Sequence, residues 1–228
     1  MYATNDPESN ALPMSQVEQP EPRWQAILAV IAVSGIYLAL PRHLILGPTW
    51  LLPAVVVLLL IPTVVAHRTG RHSLNRFLGT LINSIITLGL IGSVILLATT
   101  IPGRKDPLLA LLSSGAALWL TNVLVFALWY WRLDGGGARA RQMQQEFGSR
   151  SFVFPQMQIE KTERGTFGVG VWRPGFVDYL FVAFTTSSTF GPTDAPILAR
   201  WAKLLAMTQS LISLTIMVLL ISRAVGVL

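Results

Sequence analysis

Residues 77–101 read Phe-Leu-Gly-Thr-Leu-Ile-Asn-Ser-Ile-Ile-Thr-Leu-Gly-Leu-Ile-Gly-Ser-Val-Ile-Leu-Leu-Ala-Thr-Thr-Ile, without one Asp, Glu, Lys, Arg or Pro. At 1.5 Å per residue such a helix is roughly 37 Å long, enough to cross the ~30 Å hydrocarbon core of a bilayer. This stretch sets the fold class, and the chain on either side repeats its pattern. Upstream lies a basic connector with His67, Arg68, Arg71, His72 and Arg76, preceded by an apolar run from Leu44 to Ala66. Pro48, Pro53 and Pro62 in that run favour a late helix start, at roughly 49–66. Before it, Trp24–Leu40 forms a further apolar span with Trp24 and Tyr37 as interfacial anchors, broken by Pro41-Arg42-His43. Downstream, Pro102-Gly103-Arg104-Lys105-Asp106-Pro107 reads as a tight polar turn. A span from Leu108 to Trp131 follows, closing on Trp129-Tyr130-Trp131-Arg132, an aromatic belt with a charge just beyond it.

Composition agrees. Of the 228 residues, 52 % are hydrophobic and 12 % charged, where a soluble domain carries roughly 25 % charged residues. The net charge of +6 sits in connectors beside apolar spans, which points to topology and anionic headgroups and away from nucleic acid. No cysteine is present, which excludes disulfides and thiolate metal sites. Residues 1–22 are polar and Pro/Glu-rich and read as a disordered tail. With no basic segment running into an apolar one there, the first membrane helix is expected to act as the insertion signal.

The character changes after Arg132. Asp134-Gly135-Gly136-Gly137 reads as a flexible break, residues 138–150 as a short surface helix or disorder, and the alternation in 151–173 as a small hairpin. Residues 176–188, Phe-Val-Asp-Tyr-Leu-Phe-Val-Ala-Phe-Thr-Thr-Ser-Ser, would make a helix of only about 20 Å. Asp178 lies in its first turn, where the helix dipole favours a negative charge. A turn at 189–196 and an apolar span over Leu204–Ile221, preceded by Arg200 and Lys203, complete the chain. A half-length helix, a Gly/Pro turn and a full helix together predict a re-entrant segment.

The order Asp178-Tyr179-Leu180-Phe181-Val182-Ala183-Phe184-Thr185-Thr186-Ser187-Ser188-Thr189-Phe190-Gly191-Pro192-Thr193-Asp194 resembles the pore module of the potassium-channel superfamily, in which a pore helix, a filter and an inner helix follow one another. The resemblance covers residues 176–228. It puts Thr189, Phe190, Gly191 and Asp194 on filter positions, with Pro192 and Thr193 replacing the tyrosine and second glycine of that pattern. It implies a homo-oligomeric pore, a tetramer, passing monovalent cations. A potassium filter stacks rings of backbone carbonyls. Pro192 fixes φ and removes an N–H, and Thr193 carries a β-branched side chain where glycine supplies conformational freedom. Poor selectivity is the expectation. Thr185, Thr186, Ser187 and Ser188 either line a polar vestibule or bond back within their own helix.

The expected fold is therefore an all-α, multi-pass integral membrane protein of a bacterial-type cytoplasmic membrane, with about five transmembrane helices plus one re-entrant half-helix. It divides into 1–22 (tail), 23–132 (four-helix region), 133–175 (polar connector) and 176–228 (pore-like module). The basic connectors 67–76 and 132–141 lie on one side of a five-span layout, and the positive-inside rule makes that side cytoplasmic. The charge rule thus has the re-entrant turn enter from the cytoplasm, whereas the resemblance implies entry from outside.

The alternative to a pore is a structural or accessory membrane protein whose loop only packs the bundle. Asn83, Ser84, Thr87, Thr121, Asn122, Thr208, Gln209 and Ser210 lie within spans, and interhelical hydrogen bonding is their expected role. No charged residue lies deep in a span, which argues against a proton-coupled transporter. Enzyme chemistry and bound cofactors are not expected. His43, His67 and His72 sit in connectors without carboxylates at metal-ligand spacing. Gly168-Val169-Gly170 lacks a phosphate-loop context, and the Thr/Ser run lacks a base.

Overall fold

A computed structural model describes residues 24–100, 107–143, 150–159, 172–189 and 194–226. The chain is all-helical: α1 (Trp24–Ala39), α2 (Leu51–Arg68), α3 (His72–Thr100), α4 (Leu108–Leu133), α5 (Ala138–Met143), α6 (Pro155–Gln158), α7 (Phe176–Thr189) and α8 (Arg200–Ala224). Three helices, α3, α4 and α8, are long and apolar enough to cross a membrane. Two more, α1 and the Leu51–Ala66 part of α2, are apolar but shorter; the 16 residues of α1 reach about 24 Å. Large apolar side chains point outward along the bundle, among them Leu58, Leu88, Leu204 and Leu211. That surface belongs against hydrocarbon, and the chain is a membrane protein.

The long helices start and stop where backbone chemistry dictates. Pro107 stands immediately before α4 in an extended conformation, a position that needs no N–H. Pro62 lies inside α2, beside Thr63, whose hydroxyl bonds back to the Leu59 carbonyl at 2.6 Å. At the far end of α4 the chain reverses through Gly135, Gly136 and Gly137, all at positive φ (56°, 78° and 94°). Side-chain-bearing residues resist that conformation, so the glycine run is a built turn.

Helix α4 is the hub. It packs most extensively against α7 and α8 and also touches α1 and α3, while α2 lies mainly against α3. Ring contacts fix the levels. Trp131 of α4 meets Phe176 at the start of α7 with centroids 6.2 Å apart, and Trp119 meets Phe184 near the end of α7 at 5.6 Å. Trp131 and Trp119 are separated by about 18 Å along α4, so α7 runs antiparallel beside the C-terminal half of α4. Helix α8 begins at the same end, where Trp201 meets Phe152 at 6.3 Å and Phe152 meets Tyr130 at 5.1 Å. It then continues past α7 until Leu220 fills the space over Gly115, near the start of α4.

The connector departs from its expected form. Asp134 is fully buried and begins a 3-10 turn, Asp134–Gly136, where the glycine run alone suggests flexibility. The expected hairpin in 151–173 does not form within its described part. Phe152 instead makes a bridge to Ile197, in the segment leading to α8, with Leu198 N donating to Ser151 O (2.8 Å) and Val153 N to Pro196 O (3.1 Å). Residues 160–171 of the proposed hairpin, the tail 1–22 and most of the 102–107 turn lie outside the described residues.

Candidate functional site

The hydroxyls of α7 divide by helix face. Thr186 and Ser187 are buried, whereas Ser188 and Thr189 are exposed and Thr185 is half-buried. Thr185 donates to Phe181 O (3.0 Å), Thr186 to Val182 O (2.7 Å), Ser188 to Phe184 O (2.8 Å) and Thr189 to Thr185 O (2.8 Å). Bonding back within the helix is thus their common state, the second of the two uses expected for them. Of the filter-like positions, Asp194 is exposed, and Phe190, Gly191, Pro192 and Thr193 lie outside the described residues.

Ser187 belongs to a different arrangement, centred on Gln209 of α8. The Gln209 carboxamide is fully buried. Its Nε2 donates to Ala183 O and to Ser187 Oγ, both at 2.7 Å. Its Oε1 accepts from Tyr130 Oη of α4 at 2.6 Å. One side chain therefore ties three helices together and uses its amide in both directions. Asn122 of α4 extends the network, its Nδ2 donating to Gln209 O at 3.1 Å and to Ser213 Oγ at 2.8 Å. Ser210 Oγ adds a bond to Thr186 O at 3.3 Å.

A second polar cluster closes the end of α4. The Asp134 carboxylate accepts from Ser151 N through Oδ1 and from Tyr179 Oη through Oδ2, each at 2.6 Å. Arg141, 2 % exposed, reaches back from α5 and donates Nη1 to the carbonyls of Trp131 (2.7 Å) and Asp134 (2.8 Å). The Trp131 carbonyl lies in the last turn of α4, and the Asp134 carbonyl, which also accepts from Gly137 N, lies just beyond it; the end of a helix is where a cation is favoured. The guanidinium carbon also lies 5.1 Å from the centre of the Tyr179 ring, within cation–π range. Around it Phe152 and Phe154 each meet Tyr179 edge to face, Tyr130 meets Phe152 at a tilt, and Trp172 and Trp201 extend the group. The connector is thereby strapped under the first turn of α7.

The roles expected for the intra-span polar residues hold for Asn122, Gln209, Ser210 and Thr87, the last accepting from Trp129 Nε1 at 2.9 Å. Thr121 and Thr208 bond back to Ala117 O and Leu204 O instead. Nothing in the sequence marks Asp134, Arg141 and Tyr179 as a unit. The visible hint is Asp134 itself, an acidic residue three positions after Trp131. No group of three or more His, Asp or Glu side chains able to hold a metal occurs among the described residues. No protein-family model, curated protein or solved structure matches the chain.

Proposed function

We propose that α4, α7 and α8 form a degenerate pore module, in which α7 is a re-entrant helix, and that a homo-oligomer of the chain passes ions or small solutes with poor selectivity. The observation carrying this reading is the order of levels along α4. Helix α7 starts against Trp131 and stops against Trp119, and α8 starts again beside Tyr130. An outer helix, a half-length helix and a full inner helix in that order make a pore-loop layout, and the filter-like sequence Thr189–Asp194 begins where α7 ends. The uncovered face of α8, carrying Leu204, Met207, Leu211, Leu214, Val218 and Ile221, is the surface on which subunits would meet around an axis. The basic residues Arg76, Arg132, Arg141, Arg200 and Lys203 cluster toward the end at which α7 starts, so the positive-inside rule has the turn open to the cytoplasm.

The second reading, a non-conducting membrane protein whose loop braces its own bundle, draws on the network at Gln209. Ser187 and Thr186 are spent on α8 and on α7 itself, which is the work of a packing element. Because the chain has no cysteine, a single Leu211→Cys reports subunit contacts without background. Disulfide-linked dimers in membranes, a tetrameric mass in detergent and potassium or sodium flux from liposomes would support the pore. A monomer that leaves liposomes tight would support the bracing role. A C-terminal reporter on Leu228 tests the orientation: an external signal agrees with the charge rule, an internal one with the potassium-channel layout.

A further inference from the structure

Helices α3 and α4 meet on a face of α3 that carries Gly79, Asn83 and Thr87, successive turns of one stripe. Thr87 is settled there: it donates to Asn83 O at 2.6 Å and accepts from Trp129 Nε1 at 2.9 Å. The groups above it are not. Arg132, in the last turn of α4, lays its guanidinium against the α3 backbone at Gly79, where any added Cβ would collide with it. Its Nε is sealed from solvent without an acceptor. One turn away, Asn83 is 1 % exposed, and neither its Nδ2 nor its Oδ1 has a hydrogen-bond partner.

We propose that Arg132, lying in the notch at Gly79 with Asn83 beside it, forms a seat for a phosphate group, the phosphodiester of a phospholipid headgroup. A guanidinium is a planar fork of donors with no acceptor, and phosphate oxygens are its complement. The Asn83 amide adds an unfilled N–H donor one helical turn from Gly79 on the same face of α3. Depth agrees as well. Arg132 lies in the last turn of α4, at the end where the exposed Arg76, Arg200 and Lys203 also gather, the level at which anionic headgroups are met. An arginine that merely escapes to water needs no notch, because its stem extends outward. Here the missing side chain at residue 79 lets the charge turn inward onto a neighbouring helix. Arg76, exposed and one turn back on α3, spends Nη2 on Gly136 O at 2.6 Å and adds positive potential at the rim. The seat lies outside α7 and stands whether or not the chain conducts.

The test is native mass spectrometry of the delipidated full chain, titrated separately with dioleoyl phosphatidylglycerol, dioleoylglycerol and inorganic phosphate. The native chain should hold one more phosphatidylglycerol than Arg132→Gln, with apparent affinity lowered about tenfold or more by that change. Gly79→Val should act similarly. Arg132→Lys, which keeps the charge and loses the fork, should fall between. Asn83→Leu should weaken retention about threefold without lowering the melting temperature of the lipid-free protein, a split that a purely structural role would not give. Arg223→Gln, at the opposite end of α8, should change nothing. If inorganic phosphate competes at millimolar concentration, the phosphate seat stands and its source is the soluble ion. If dioleoylglycerol binds as well as phosphatidylglycerol, or if a monodisperse Arg132→Lys or Arg132→Gln retains the native lipid complement, the proposal is overturned.

Discussion

Helix α4 has two polar faces, and they are built to opposite standards. Toward α7 and α8, Tyr130, Gln209, Ser187 and Ser213 each find a partner, and Asn122 satisfies its donor group. Toward α3, Arg132 has an orphaned Nε and Asn83 has no side-chain partner. Both faces are apolar apart from these groups, so hydrophobic burial does not distinguish them. On the α7–α8 side only Asn122 Oδ1 is left without a partner, and a network so nearly satisfied fixes one geometry, because most alternatives strand further donors or acceptors in a low-dielectric medium. An unsatisfied one marks a place that stores a cost or awaits a ligand. The contrast assigns rigidity to the α4–α7–α8 side and ligand-dependent behaviour to the α3–α4 side.

Substitutions can break this contrast in graded ways. Asp134→Ala should be the most damaging, at about 3–5 kcal/mol, because it strands Tyr179 Oη and Ser151 N in a buried site. Reversible unfolding in mixed micelles measures the loss. Gln209→Leu should cost about 2–3 kcal/mol by the same assay, with Tyr130, Ala183 and Ser187 losing partners. A cost below about 0.5 kcal/mol there would mean that the network is dispensable, and the distinction between the faces would fall. Asn83→Leu should leave the lipid-free protein unchanged or more stable by up to about 1 kcal/mol, since it removes an unpartnered amide. A large loss would reveal a partner on the α3 side and erase the contrast from that direction. Ser188→Ala should be smallest, within about 0.5 kcal/mol, because its hydroxyl serves only its own helix.

Much of the architecture was legible in the sequence. The apolar run beginning at Phe77 forms α3, which starts earlier, at His72; the half-length segment 176–188 forms α7, extended by Thr189; and Leu204–Ile221 lies within the longer α8. Long uncharged runs announce themselves because the bilayer imposes a single requirement over many residues. The connector was less legible. Its glycine run states only that the chain turns, whereas what the turn accomplishes depends on Tyr179, 45 residues beyond Asp134. No spacing rule links residues so far apart. Gln209 lay between those extremes. Its position in an apolar run predicts an interhelical bond, but its central place among three helices follows from packing alone.

The dependence of α7 on Gln209 also orders events during synthesis. Tyr130, Ala183 and Ser187 all emerge from the ribosome before Gln209, the residue that joins them. Until α8 enters the bilayer, the Ser187 hydroxyl and the Tyr130 phenol lack their α8 partner in a medium that offers almost no water. Translation of the final helix is therefore the closing step of assembly, and a nascent chain halted before it would hold α7 beside α4 without its lock.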